Sequence, residues 1–215
     1  MISSDLVKSR DTRERLLGSA ERLFAETGFD ATSTRAIVEE AGGANSAAIN
    51  YYFGSKEGLL REVLDRVLVA LFNAQRDALH ELSDKPAGPE SVLATVVEPA
   101  VALHRGPRGP VVARLLGHIL ADPSTDMRKI ALNQAALIEA DVAAALLRSA
   151  PQLSAGEARM RFAGVMAVLS FYLVGMFDHL SPAGPADPET EAAMLIAMMS
   201  GAVAAPPARS AGLAG

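Results

Sequence analysis

Hydrophobic residues recur at helical spacing along nearly the whole 215-residue chain, and no segment sustains the alternation of a strand. The clearest case is Leu60, Val63, Leu64, Val67, Leu68, Leu71 and Phe72, one stripe on a helix that Ser55 caps and that runs through Leu82. At ~1.5 Å per residue this helix is roughly 40 Å long, enough to bridge two subdomains. The fold class that follows is all-α. Half of the residues are hydrophobic, so a large core is available without covalent staples. With no cysteine present, a disulfide framework, a thiolate zinc site and a cysteine nucleophile are all excluded.

Breaks in the pattern divide the chain. A first helix is expected to begin near Asp11, which has capping-box spacing to Glu14, and to carry Leu16, Leu17, Ala20, Leu23 and Phe24 inward. It ends at "ETGFD", where Gly28 suits the left-handed position past a helix end and Phe29 can fold back onto Phe24. Thr32 or Ser33 caps a short helix that reaches Ala41, and Gly42 and Gly43 stop it. A second short helix is expected from about Asn45 or Ser46 to about Tyr52, before the long helix from Ser55. Beyond the Pro/Gly turn at 83–90, helices are expected over 91–104 with a kink at Pro99, then over 111–121, 124–150, 155–179 and 189–205. Residues 206–215 have no core to join and read as a mobile tail.

Two runs in the last third, "FAGVMAVLSFYLVGMF" (162–177) and "AAMLIAMMSGAVAA" (192–205), are apolar almost all round. Both are shorter than the ~20 residues needed to span a bilayer. No secretory leader is expected either, because the opening residues lack an apolar stretch. Helices of this kind must be covered on every side, and one small domain hardly covers both. Pairing them with the same helices of a second subunit, through residues 155–205, gives an intermolecular four-helix bundle. Gly164, Ala167 and Gly201 would permit close approach.

The net charge of −5 argues against a general polyanion binder, and residues 1–60 are themselves slightly acidic. Nucleic-acid binding would have to come from local placement of charge. One stretch is built for contact: "GGANSAAINYYFGS" (42–55) has no charged side chain, yet carries two asparagines and two tyrosines between two well-marked helices. Two short helices joined by a glycine-containing turn, behind a longer first helix, match a helix-turn-helix unit, whose second helix enters the DNA major groove. No Gly-rich phosphate loop, nucleophile elbow or clustered Glu/His pair suggests an enzyme. The four histidines show no metal-binding spacing, so neither a metal nor a cofactor is expected. A helical enzyme, and a helical interaction protein with a degenerate helix-turn-helix, remain the competing function classes.

The strings "AERLFAETGF", "TSTRAIVEEAGG" and "INYYFGSKEGLL" together resemble the N-terminal domain of the TetR family of bacterial transcriptional regulators. The likeness covers about the first quarter of the chain. It implies a helix-turn-helix domain over 1–56 and a helical effector-binding and dimerisation domain over 57–205. It further implies a homodimeric repressor that a small apolar or amphipathic effector releases from a palindromic double-stranded DNA operator, located in the cytoplasm with the nucleoid. The implied DNA contacts are Thr34 and Arg35 at the start of the second helix, then Asn45, Ser46, Ala47 and Asn50 on the recognition face. Tyr51 and Lys56 are implied on phosphate, with Ile49 and Phe53 in the core. The spacing from Gly42 to Phe53 is one residue longer than the family's common spacing, and the extra residue lies within "GGAN". Effector-binding candidates, chosen as Met-rich or aromatic walls with a few polar groups, are Met127, Phe162, Met166, Phe171, Tyr172, Met176 and Phe177, with His104, Arg114 and His118.

Overall fold

Among the described residues, ten helices account for the regular structure and no strand occurs. The computed structural model describes residues 2–43, 45, 47–82, 87–121, 125–180 and 186–206, without the side chains of 2–6, 125–128 and 130–137. The helices are α1 (Ile2–Thr27), α2 (Thr34–Glu40), α3 (Ala47–Phe53), α4 (Lys56–Leu82) and α5 (Pro89–Arg105), followed by α6 (Gly109–Ala121), α7 (Thr125–Ser149), α8 (Ala155–Leu173), α9 (Met176–Leu180) and α10 (Pro188–Ala204). Most of the expected tail, from residue 207, lies outside the described residues.

The ends are set by side-chain caps and glycines. Ser33 accepts the Ala36 N–H at 3.0 Å ahead of α2, and Ser55 accepts the Gly58 N–H at 3.0 Å ahead of α4. At α8, Ser154 and Glu157 exchange bonds in a full capping box. Asp187 accepts the Thr190 N–H at 3.0 Å to start α10. At the end of α2, Gly42 takes φ +74 while Gly42 N–H bonds Glu39 O and Gly43 N–H bonds Val38 O. This is the paired closure that a left-handed glycine makes possible.

Two helix boundaries differ from the sequence expectation. The first helix starts at Ile2 rather than near Asp11. Nothing between these positions breaks a helix, and the acids that resemble a capping box are used along its flank. Asp11 pairs with Arg15 at 3.2 Å and Glu14 with Arg66 at 3.1 Å. The helix expected over 155–179 is divided, because Gly175 takes φ +78 between α8 and α9. Pro99 stands inside α5, which continues to Arg105.

The chain forms two compact units. The first comprises residues 1–71 and 107–135. Its core holds Leu16, Leu17, Ala20 and Phe24 of α1, Ile37 and Val38 of α2, Ile49 of α3, the α4 stripe through Leu71, and Val112, Leu115 and Ile119 of α6. Each such large side chain contributes about 1.5–3 kcal/mol when fully buried. Phe29 folds onto Phe24 with ring centres 5.4 Å apart. Across the helices, Glu21 receives Arg66 at 3.4 Å and Arg108 at 2.6 Å, while Arg22 holds Glu40 at 2.5 Å.

The second unit comprises residues 72–106 and 136–215, with α10 packed on α5 and α8 against both. Its core includes Leu93, Val97, Val142, Phe162, Val165, Leu169, Leu195, Met199 and Val203. Arg161 donates to the carbonyls of Val203 (2.7 Å), Ala205 (2.5 Å) and Pro206 (3.0 Å), closing the C-terminal end of α10. A polar cluster sits beside α9. Arg105 bonds Glu191 (Nε–Oε2 2.8 Å) and Asp178 (2.6 Å), His104 Nε2 bonds Asp178 (3.1 Å), and Tyr172 donates to Glu191 (2.7 Å). The break at Gly175 is what lets Asp178 reach this cluster.

Arg105 holds the Glu191 carboxyl below its ordinary range despite burial. Burial works against the Asp178 carboxylate, but bonds from Arg105 and His104 outweigh it and lower that carboxyl too. Groups with depressed folded-state values contribute stability above the ordinary carboxylate value, about pH 4, and lose it as pH falls below. Arg105→Ala removes the shared cation and should cost ~3 kcal/mol, with Asp178's partial exposure keeping the loss at the low end. In urea denaturation followed by circular dichroism, the variant should also lose less stability than wild type between about pH 5 and 3.

Candidate functional site

A seven-residue helix cannot hold itself together in water, so α3 depends on what it buries. Ile49 is 0% exposed and anchors it. Asn45 starts it, because its Oδ1 accepts the Ala47 N–H at 2.9 Å and its carbonyl accepts the Ala48 N–H at 3.1 Å. Asn45 therefore precedes the helix, in the stretch where the extra residue was located. Ser46 lies outside the described residues.

With Ile49 turned in, Ala47, Asn50 and Tyr51 are exposed, Tyr51 to 80%. Tyr51 leans edge-on against Tyr52, ring centres 4.8 Å apart. Tyr52 is half-buried, and its hydroxyl accepts from Ser9 at 3.3 Å. Phe53 is half-buried beneath the Arg13 guanidinium. On α2, Thr34 is half-buried and Arg35 is exposed, its Nε on Glu39 at 2.7 Å. Lys56 is half-buried with Nζ 4.2 Å from the Phe29 ring centre, and this desolvation lowers its pKa. Thr34, Arg35, Ala47, Asn50, Tyr51 and Lys56 are thus all carried by α2, α3 and the first turn of α4.

The effector-binding candidates are less coherent. His104, Tyr172 and Phe177 come together in the second unit, His104 and Phe177 at 4.6 Å and 5.9 Å from the Tyr172 ring. Phe162 is core at 2% exposed, Met166 is half-buried, and Phe171 and Met176 face solvent at 53% and 41%. Arg114 and His118 are exposed and belong to the first unit, while the Met127 side chain lies outside the described residues. None of the ten lines the open groove of about 410 Å³ between α5 and α10, whose walls include Val101, Ala192 and Ile196. No group of acids and histidines fit to hold a metal occurs among the described residues. Among them, too, no helix is long and apolar enough to cross a membrane.

Residues 16–63, which hold α2, α3 and the start of α4, match the family of bacterial regulatory proteins of the TetR type. Residues 94–205, more than half of the chain, match the tetracyclin repressor-like C-terminal domain. The chain belongs to the TetR family. It is 32% identical over 124 residues to the HTH-type transcriptional repressor KstR2 of Rhodococcus jostii, a match covering 55% of this chain and 60% of that protein. It is 47% identical over 53 residues to the dual regulator CecR of Shigella flexneri, covering 25% of this chain and 23% of that one. The chain thus matches less than two thirds of the length of these relatives. Among solved structures, the TetR-family regulator PfmR of Thermus thermophilus superimposes with a TM-score of 0.61 at 25% identity, covering 86% of this chain and 96% of that one.

Other residues that shape this TetR-type unit carry less obvious signals. Thr32 is 3% exposed, and its hydroxyl lies 2.6 Å from the Gly28 carbonyl and 2.8 Å from the Thr27 hydroxyl, pinning the turn before α2. Gly58 is needed for a different reason: a Cβ there would overlap the Phe53 carbonyl oxygen, which closes α3 onto α4. Helix propensity alone predicts that Gly58→Ala stabilises by ~1 kcal/mol. The overlap is with backbone and predicts the opposite sign, a loss of about 1–3 kcal/mol. Chemical denaturation decides between the two signs.

Proposed function

We propose that this TetR-family protein is a homodimeric DNA-binding transcriptional regulator, acting as a repressor, whose hold on a palindromic operator is released by a small apolar or amphipathic effector. The observation that carries the reading is the two-sidedness of α3: Ile49 is fully buried while Ala47, Asn50 and Tyr51 stand in solvent with no ion pair. Asparagine suits a bidentate bond to adenine, and alanine allows close backbone approach in the groove. Arg35 and Thr34 at the start of α2, with Tyr51 and Lys56 at either side of the α3–α4 turn, are assigned to phosphate and flanking base contacts. Asn45 and Ser46 are assigned to the entry of the recognition helix. The DNA-reading domain is taken as 1–56 and the effector and dimerisation domain as 57–205.

The dimer reading is supported by an unpartnered apolar face. On α8, Met160, Gly164, Ala167 and Phe171 are exposed at helical spacing, and on α10 so are Met194, Ala197, Met198 and Gly201. Space beside Gly164 and Gly201 is open. Association of these faces in pairs would cover both helices. For the effector, the second unit offers His104 Nδ1, a buried side-chain atom without a hydrogen-bond partner among the described residues. Its Nε2 faces the Asp178 carboxylate, which only accepts, so Nε2–H is committed there and Nδ1 is the ring atom left for an effector group. An effector with a hydroxyl or amine beside an apolar body fits that environment of Tyr172 and Phe177.

Enrichment of genomic fragments by the purified protein, followed by anisotropy titrations, tests the DNA reading. Wild type should select a discrete sequence, Ala47→Glu should bind it at least ~100-fold more weakly while remaining dimeric, and binding at wild-type strength would exclude α3 from the groove. Met198→Arg should run as a monomer by light scattering at micromolar concentration, since an unpaired charge would be buried at the seam. For the effector, a thermal-shift screen of lipophilic alcohols, amines and metabolites should give stabilising hits that His104→Phe loses. A screen without hits would overturn that part.

A further inference from the structure

The DNA-reading unit is slightly acidic over its first 60 residues, and the structure shows where its positive charge goes. Arg13 is held by Glu62, Arg15 by Asp11, Arg22 by Glu40, Arg35 by Glu39, and Arg66 and Arg108 by Glu21. Lys56 is drawn over Phe29. A guanidinium already paired with a carboxylate neutralises little phosphate charge, so contacts at α2 and α3 alone leave the unit short of cations for a polyanion.

Two cations escape this pairing on the part of α1 ahead of Asp11. Lys8 and Arg10 are exposed and have no ion pair among the described residues. They lie on the N-terminal turns of α1, ahead of the region matching the family model. Ser9 between them donates to the Tyr52 hydroxyl at 3.3 Å, which sets this turn beside the C-terminal half of α3. At roughly 100° per residue, Lys8 and Arg10 flank that contact on either side. Arg61, which acts on the Asp65 carboxylate, and Arg114 are also exposed, but neither bonds α3 among the described residues.

We infer that Lys8 and Arg10 form an additional phosphate-binding element on α1, extending the DNA contact surface N-terminal to the helix-turn-helix and past the Tyr51 end of α3. The inference rests on the DNA-binding reading above. Its chemistry is charge neutralisation without base reading, so it adds affinity for any duplex and leaves sequence preference alone.

The test titrates full-length wild type and a Lys8→Ala/Arg10→Ala variant against the selected duplex and a scrambled duplex, across a series of salt concentrations. Each phosphate contact contributes about 0.9 to the slope of log affinity against log salt. The double variant should therefore lose ~1.8 of that slope. Its affinity should fall by a similar factor on both duplexes, with thermal midpoint and dimer mass unchanged. A Lys8→Arg/Arg10→Lys variant should keep the wild-type slope. Should the alanine pair melt early, Lys8→Gln/Arg10→Gln gives the same readout with the stems retained. Wild-type binding together with an unchanged slope in the variant overturns this inference alone. Wild type that selects no duplex overturns the DNA reading and this inference with it.

Discussion

The arrangement of the first unit rests on the burial of one side chain, Ile49, from a helix too short to be stable by itself. With seven residues, α3 makes few internal backbone bonds and acquires its conformation from tertiary contact. Burying Ile49 fixes the rotation of the helix about its axis, and that rotation decides which residues meet solvent. The remaining degrees of freedom are removed at the ends. Asn45 ties the first turn, the Gly58 gap admits the Phe53 carbonyl at the last, and Tyr52 leans back to Ser9 of α1. The exposed residues assigned to DNA are therefore oriented largely by Ile49, Gly58 and Ser9, none of which is assigned to it.

The same economy of side-chain types operates in both units through arginine. In the first unit arginines cross between helices to carboxylates, and in the second Arg105 gathers Asp178 and Glu191 while Arg161 takes the last carbonyls of α10. A planar guanidinium with several fixed donors suits such bridging, which an ammonium does less well. The two units share a chemistry of cohesion and differ in what remains uncovered. The first leaves small polar groups on α3, and the second leaves methionine, alanine and glycine on α8 and α10.

Much of this was legible in the sequence because it depends on local chemistry. Ser33, Ser55, Gly28 with Phe29, and the Gly42–Gly43 pair each act on a neighbour within a few residues, and each does what its position implies. Where the outcome depends on a distant partner, local pattern misleads. Asp11 and Glu14 look like a cap but are taken by Arg15 and Arg66, so α1 begins earlier. The apolar run around Gly175 reads as one helix by pattern, and the partners that the turn brings to Asp178, His104 and Arg105, are distant in sequence. Phe162 and Phe171 are indistinguishable in composition, yet one is core and the other solvent-facing. The DNA-contact candidates were placed by a motif whose elements are adjacent in sequence, whereas the effector candidates had only residue type to recommend them, and they scatter over both units.

The pairing of arginines with acids also bears on how fast this unit meets a charged partner. A cation and a carboxylate about 3 Å apart act at a distance as a dipole, whose field decays more steeply than that of a lone charge. Beyond a Debye length of ~8 Å little of it survives. A polyanion drifting toward the first unit is therefore guided by the few unpaired cations on its surface, and the paired ones become perceptible only near contact. Encounter should proceed closer to the unsteered rate of about 10⁵–10⁶ M⁻¹s⁻¹ than to the diffusion limit, so that discrimination between sequences falls to the lifetime of the complex.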